Sequence, residues 1–242
     1  MCKIIYQRPA AIPFCGYFCS MAVNTTAYNN IKKELGNKGA TLVAVSKTKP
    51  VEDIKALYDL GQRDFGENYV QELVEKEAAL PKDIRWHFIG HLQSNKVKYI
   101  APFVHLIHGI DSFNLLKEIN KQAVKNNRII DCLLQVHIAK EETKFGFELH
   151  ELQDLHELHE LTHIRITGLM GMASFSDDED LVRKEFRDLK KIFDQEAQQK
   201  TENRKLQTLS MGMSADYKIA LEEGSNMVRI GSLLFGERNY KH

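Results

Sequence analysis

The sequence has few of the residues that mark secreted or membrane-bound proteins. Its 242 residues include four cysteines, five prolines and one tryptophan. Cys2, Cys15 and Cys19 lie within the first twenty residues and Cys132 lies in an apolar run, so no disulfide framework is indicated and a cytoplasmic location is expected. No apolar run approaches the roughly 20 residues of a transmembrane helix, so no membrane association is expected.

The chain also has no excess of charge of either sign. Its 33 basic side chains balance 33 acidic ones, so no overall field attracts nucleic acid or an anionic membrane. Hydrophobic residues make up 43% and charged residues 27%, as in ordinary globular proteins. A small ligand is therefore the expected partner.

The first residues are the least regular part of the chain. Basic residues precede a patchy apolar stretch, as in a secretory signal, but Pro13 and Gly16 interrupt it and Met21 offers a second start. We predict a disordered extension over residues 1–22 and one folded domain over residues 23–242. A signal or transit peptide is the alternative.

From Thr41 onward, short β-branched runs alternate with longer amphipathic ones, which indicates βα units around a parallel sheet. The eight predicted strands are 42–46, 64–66, 85–89, 105–109, 129–136, 164–169, 207–210 and 227–230. The longer predicted helices are 51–60, 69–79, 112–126, 148–159 and 181–200, whereas the third, seventh and eighth are short or uncertain. The pattern predicts a single (β/α)8 TIM barrel, with an open doubly wound sheet as the alternative. An extra helix near 24–35 is expected to plug the lower mouth of the barrel.

A stretch rich in histidine and glutamate, 150–160, could suggest a metal site. Leu152, Leu155 and Leu158 form one apolar stripe in it, which leaves the polar residues on a solvated helix face. No metal is expected.

Lys47 directly follows the first strand and shares a face with Val43 and Val45. If those valines fill the barrel, Lys47 points into its mouth, where such barrels carry their functional residues. Loss of hydration there would lower the pKa of the lysine amine and make it a nucleophile toward an aldehyde. A surface lysine is the alternative.

Two segments after the seventh and eighth strands contain small residues that suit an anion. Ser210 and Ser214 belong to the first, with Ser214 as a predicted helix N-cap, and Gly231 and Ser232 to the second. Loops after strands seven and eight often bind phosphate in these barrels. Arg229 should point inward, either toward a ring nitrogen of a bound heterocycle or toward a carboxylate such as Glu67.

These segments resemble the pyridoxal phosphate homeostasis proteins, whose fold is that of the alanine racemase barrel domain. The resemblance covers about residues 24–238 and is carried by AVSKTKP at 44–50, FGENYVQE at 65–72, WHFIGHLQSNK at 86–96, 144–146, 168–172, LSMGMSADY at 209–217 and 228–236. It implies a fold-type III barrel that binds pyridoxal 5′-phosphate (PLP) and lacks the C-terminal β-domain of the racemases.

The resemblance also implies roles for individual residues. Lys47 matches the lysine that forms a Schiff base with PLP, and Arg229 the residue facing the pyridine nitrogen. The matched phosphate cradle is Ser210, Ser214, Gly231 and Ser232, and the matched pocket lining is Asn68, His87 and Met170. The family often has threonine at 232, and serine keeps the hydroxyl. Lys144 corresponds to a lysine implied in a secondary cofactor contact.

We therefore expect a monomeric PLP carrier that buffers the cofactor or delivers it to apo PLP-dependent enzymes, and not an enzyme. Racemases of this fold share the arginine but add a β-domain and a tyrosine base, for which residues 232–242 leave no room. The alternatives are a racemase-like enzyme, a lysine-dependent aldolase acting on a phosphorylated sugar, and an interaction module without a ligand.

Overall fold

A computed structural model describes residues 23–139, 146–148, 151–152, 156–199 and 201–236. The predicted extension over residues 1–22 and Lys144 lie outside the described residues.

Eight parallel strands of the described chain close into a barrel in sequence order, with β8 pairing with β1. They are β1 (Thr41–Val45), β2 (Asp64–Glu67), β3 (Arg85–Phe88), β4 (Leu106–Ile110), β5 (Ile130–Gln135), β6 (Ile164–Met170), β7 (Arg204–Met213) and β8 (Met227–Ile230). The predicted (β/α)8 TIM barrel is confirmed, and the open sheet is excluded because the ring of pairings is complete.

Helices cover the outside of this barrel. They are α1 (Thr25–Lys38), α2 (Val51–Asp59), α3 (Val70–Ala79), α4 (Val97–Ile100), α5 (Phe113–Lys125), α6 (Glu179–Glu196), α7 (Tyr217–Glu222) and α8 (Ser232–Phe235), with 3₁₀ turns at Ser94–Lys96 and His156–Glu160. The helices expected to be short, α4, α7 and α8, have four to six residues.

Polar side chains cap the amino ends of two of the longer helices. They accept hydrogen bonds from backbone N–H groups that have no partner within the helix. Ser112 accepts from the Leu115 amide at the start of α5. Asp178 accepts from the amides of Asp180 and Leu181 at the start of α6. Each cap satisfies a backbone donor that has no partner within its own helix.

The prediction that the extra helix plugs the lower mouth is wrong. Helix α1 buries Tyr28, Ile31 and Leu35 against the outside of the barrel and contacts β1 and α8. The Asn24 amide donates to the Leu234 carbonyl, 2.8 Å away. Because α8 is a single turn, α1 supplies the long helix that this part of the outer layer would otherwise lack.

Alternation along β1 divides the apolar residues into two layers. Leu42 and Ala44 belong to the core between the barrel and its helices, whereas Val43 belongs to a small cluster inside the barrel. A period of two residues carries the inward direction onward from Val43 to residue 47. The chain therefore aims Lys47 at the upper mouth.

Strand β7 and the predicted helix 148–159 are among the elements whose extents differ from the prediction. Strand β7 begins at Arg204 rather than residue 207, and Arg204 forms a buried ion pair with Glu196 of α6 that satisfies its charge inside the fold. The predicted helix 148–159 lies partly outside the described residues, and its end is the 3₁₀ turn His156–Glu160. Among the described residues, no helix combines the length and apolarity needed to cross a membrane.

Candidate functional site

A cavity of about 410 Å³ opens at the carboxyl ends of the strands. Six of the nine predicted site residues line it: Lys47, Asn68, Ser214, Arg229, Gly231 and Ser232. The side chain of Lys47 is half-buried there. The structure thus brings together the amine and the two turns that the sequence indicated separately.

The turn carrying Lys47 is fixed from behind by a buried polar cluster. The Ser46 hydroxyl donates to Glu67 Oε1 at 2.6 Å, and Lys76 Nζ donates to the Ser46 carbonyl at 2.7 Å and to Glu67 Oε1 at 2.8 Å. The Thr48 amide donates to Glu72 Oε1 at 2.6 Å. Residues on both sides of Lys47 are therefore anchored to the wall of the barrel.

Glu67, like Ser46, has no exposed surface. Burial raises its pKa to about 7, although the Lys76 ammonium and the Ser46 hydroxyl act in the opposite direction. Because Glu67 is occupied by Lys76, it does not pair with Arg229, and the alternative of an Arg229–Glu67 ion pair is not observed.

The turns after β7 and β8 are joined to each other at the cavity. The Gly231 amide donates to Ser214 Oγ, 3.2 Å away. The prediction that Ser214 is a helix N-cap is wrong, because α7 starts at Tyr217 and Asp216 precedes it. Asp216 instead accepts from the Met213 amide, 2.5 Å away, which closes the turn. Serine hydroxyls and small residues that expose backbone amides are the groups that bind a phosphate.

Arg229 reaches inward from β8, as predicted, and only 4% of its surface is exposed. Its Nη1 donates to the Ser210 carbonyl at 2.9 Å and to Ser210 Oγ at 2.8 Å, and its Nη2 donates to the Gly171 carbonyl at 3.1 Å. Burial lowers its pKa to about 10, so it stays charged at neutral pH. The cavity therefore contains a fixed cation held by neutral acceptors.

Three predicted site residues lie below the cavity instead of lining it. Ser210 is fully buried and contacts Arg229 directly. Met170 packs in the apolar cluster inside the barrel with Val43. His87 lies deeper, with its ring nitrogens near His108 and Asp64. These three residues can therefore affect a ligand in the cavity only through the residues that they contact.

Several residues that line the cavity were not among the predicted site residues. Met172, Phe175 and Met213 contribute apolar surface, and the side chain of Phe175 is 95% exposed. Ile89 joins them from the loop after β3. Met172 and Phe175 become part of the site only through the folding of the loop after β6. Spacing along a strand could have indicated Ile89 and Met213, because Ile89 continues the β3 run and Met213 ends β7.

One further polar site lies beside this cavity, and another lies at the opposite end of the barrel. A cleft of about 570 Å³ lies beside it and shares Asn68, but it contains neither Lys47 nor Arg229. At the lower mouth, donor atoms of Asp64, His87 and His105 lie within 4.8 Å of one another. Their spacing would suit a metal, but Arg85 holds both oxygens of Asp64. The carboxylate of this lower cluster is thus already engaged by a protein group.

Comparison with known proteins places this geometry in a family. Residues 25–239 match the alanine racemase N-terminal domain. The pyridoxal phosphate homeostasis protein of Aquifex aeolicus is 46% identical over 207 residues, which cover 85% of this chain and 90% of that protein. The protein of the same name in Escherichia coli is 40% identical over 205 residues, 83% of this chain and 86% of that protein.

Solved structures agree with these relatives. PipY of Synechococcus elongatus with PLP bound has a TM-score of 0.80 at 33% identity, over 90% of this chain and 100% of that one. Alanine racemase of Clostridium difficile, with a TM-score of 0.73 at 16% identity over 62% of its own chain, shares the fold. Fold and site define a barrel of the alanine racemase N-terminal type. Within that class, the chain belongs to the pyridoxal phosphate homeostasis protein family.

Proposed function

We propose that this protein binds PLP, holds it as a Schiff base on Lys47, and buffers or delivers it in intracellular vitamin B6 homeostasis. The observation that carries the proposal is the convergence of Lys47, Arg229 and the Ser214–Gly231 turns on one cavity. Family membership and the PLP-bound PipY structure support it.

The residues fit this cofactor group by group. Lys47 offers the amine for the aldehyde, and Ser214, Gly231 and Ser232 offer donors for the phosphate. Arg229 offers a donor for the pyridine nitrogen, and Asn68 Oδ1 is a buried acceptor without a hydrogen-bond partner among the described residues, which suits a ligand hydroxyl. The volume of about 410 Å³ falls in the range of about 300–1,000 Å³ typical of small-molecule sites.

Storage rather than catalysis is the role we infer. Bound PLP supplies an electron sink, which works best when its ring nitrogen is protonated. Because Arg229 remains charged at neutral pH and can only donate hydrogen bonds, a ring nitrogen that faces it would stay unprotonated, which disfavours transamination and most decarboxylations. Racemases of this fold share the arginine, so it does not by itself argue against racemisation. The relatives named above are called homeostasis proteins. Incubation of the PLP-loaded protein with L-amino acids should give no racemisation or decarboxylation; rapid turnover would contradict the carrier role.

The direct test of the proposal is substitution of Lys47. Lys47→Ala should remove the visible absorption band of lysine-linked PLP while circular dichroism stays that of the native fold. Lys49→Ala is the matched control, because it removes a neighbouring ammonium from the same cavity and should keep the band. A band that survives in Lys47→Ala would assign the cofactor to another lysine.

The same experiment separates the carrier from two alternatives, a lysine-dependent aldolase and an interaction module without a ligand. An aldolase that uses Lys47 on a phosphorylated sugar would be colourless and would leave Arg229 without a role, and an interaction module would release no chromophore.

We further propose a monomer in the cytoplasm whose recipients are apo PLP-dependent enzymes. Light scattering that shows a dimer would contradict the monomer.

A further inference from the structure

A chain of hydrogen bonds runs through the barrel interior from the cavity to the lower mouth. Arg229 Nη1 donates to Ser210 Oγ at 2.8 Å, and Ser210 Oγ lies 3.2 Å from His108 Nδ1. His108 Nε2 lies 2.9 Å from His87 Nδ1, and His87 Nε2 lies 3.1 Å from Asp64 Oδ1. All five residues are at most 8% exposed. The arginine of the cavity is thus connected to a carboxylate at the opposite end of the barrel.

The two ends of this chain fix the direction in which its protons point. A guanidinium only donates and a carboxylate only accepts, so Arg229 donates to Ser210 and His87 donates from Nε2 to Asp64. With one proton on each ring, His87 Nδ1 then accepts from His108 Nε2–H, and His108 Nδ1 accepts from the Ser210 hydroxyl. With neutral rings, the reverse order would aim a bare nitrogen lone pair of His87 at the carboxylate.

The lower end of the chain is held as an anion. Burial alone would raise the pKa of Asp64, but hydrogen bonds from His87 and Arg85 outweigh it and keep the pKa well below its ordinary value. Arg85 Nε and Nη2 lie 2.6 and 2.5 Å from its two oxygens. A cavity of about 310 Å³, lined also by His105, lies at this mouth. Hydrogen bonds in series polarise one another in a low-dielectric interior, so the charge of Asp64 strengthens each bond up to Arg229.

We propose that Asp64, His87 and His108 are positioning residues that act through Ser210 on Arg229, fixing the guanidinium and the electrostatic environment that it presents to the ligand. None of these three lines the Lys47 cavity. The inference rests on the proposed function, because the ring nitrogen of PLP is the group that Arg229 would face.

The proton order can be measured in the ligand-free protein. Nitrogen-15 NMR of the imidazole side chains should show His87 and His108 both protonated at Nε2, with Nδ1 of each ring acting as an acceptor. A ring of either residue protonated at Nδ1, alone or in addition to Nε2, would overturn the ordered chain. This measurement does not depend on whether PLP binds, so it can fail separately from the proposed function.

The effect on the ligand is tested by two substitutions of His108. His108→Phe leaves the Ser210 hydroxyl without its acceptor and should shift the absorption band of bound PLP and weaken its affinity roughly 2- to 10-fold, the effect of one hydrogen bond. His108→Asn keeps an acceptor near the Nδ1 position and should remain closer to the unmodified protein.

Leu133→Val is the matched control, because Leu133 is fully buried and belongs to the apolar cluster inside the barrel. It should lower the thermal midpoint without shifting the band. Unchanged band position and affinity in His108→Phe would overturn the inference while leaving the Lys47 proposal intact. Absence of any lysine-linked band in the unmodified protein would instead remove the proposed function.

Discussion

At the scale of single residues, the site combines one half-buried amine with one buried cation. Lys47 needs access to an aldehyde, and its neighbours Ser46 and Thr48 are held by backbone and hydroxyl hydrogen bonds that leave its own side chain to the cavity. Arg229 needs rigidity, and three neutral acceptor contacts supply it. The two residues therefore have different surroundings because they have different tasks.

Gly231 provides the sharpest single-residue test of the phosphate cradle. A Cβ at this position would lie 3.2 Å from the Val45 carbonyl oxygen and 3.3 Å from Val45 Cβ, so the β8–α8 turn would have to move away from β1. We expect Gly231→Ala to weaken PLP affinity roughly tenfold, the loss of about one charge-assisted hydrogen bond, as measured by fluorescence titration.

Gly36→Ala is the control for that substitution. Gly36 is exposed on α1, and a Cβ there meets no atom within 4 Å. Its PLP affinity should equal that of the unmodified protein. Equal affinity in Gly231→Ala as well would show that this turn does not hold the anion.

At the scale of elements, the end of strand β1 positions Lys47, and helix α3 and strand β2 fix the turn that carries it. Helix α3 carries Glu72 and Lys76, which grip the residues on either side of Lys47. Strand β2 contributes Glu67 to the same cluster. Charged groups with little exposure are costly unless paired, and this cluster pairs them where the turn most needs to be rigid.

The buried carboxyl of this cluster predicts a pH dependence of stability. The pKa of Glu67 is raised to about 7 in the folded protein, so its protonated form favours folding. That contribution is complete below about pH 4, and is lost as pH rises toward and through about 7. Chemical denaturation at about pH 5 and about pH 8 should show the free energy of unfolding falling more in the unmodified protein than in Glu67→Gln.

Glu72→Gln serves as the control, because it removes the other carboxylate that Lys76 binds and leaves Glu67 in place. Its pH dependence should follow the unmodified protein. If Glu67→Gln and the unmodified protein lose stability equally over this range, Glu67 does not titrate in it.

At the scale of the whole molecule, most of the barrel could be predicted because it depends on local periodicity. The alternation of strand and helix and the inward direction of Arg229 follow from residue spacing. The course of α1 could not be predicted, because an amphipathic helix shows that it covers apolar surface without showing which surface. Because α8 has a single turn, it leaves apolar surface beside β1 uncovered, and α1 packs there.

The candidate site also has parts that could be predicted from the sequence and parts that could not. Lys47 and the turns after β7 and β8 could be predicted because they end strands, and strand ends meet at one mouth. The line from Ser210 through His108 to Asp64 could not, because it crosses the barrel between strands distant in sequence. Histidines within two buried strands, His87 and His108, were the available signal, since a buried polar side chain requires a partner.

Trapping the lysine-linked cofactor shows directly whether Lys47 forms the Schiff base with PLP. The protein is loaded with PLP and reduced with borohydride, and its peptides are mapped by mass spectrometry. We predict a pyridoxyl group on Lys47 in the majority of the chains, and none on Lys49. A pyridoxyl group on another lysine, such as Lys144, with Lys47 unmodified would contradict it, as would the absence of any pyridoxyl peptide.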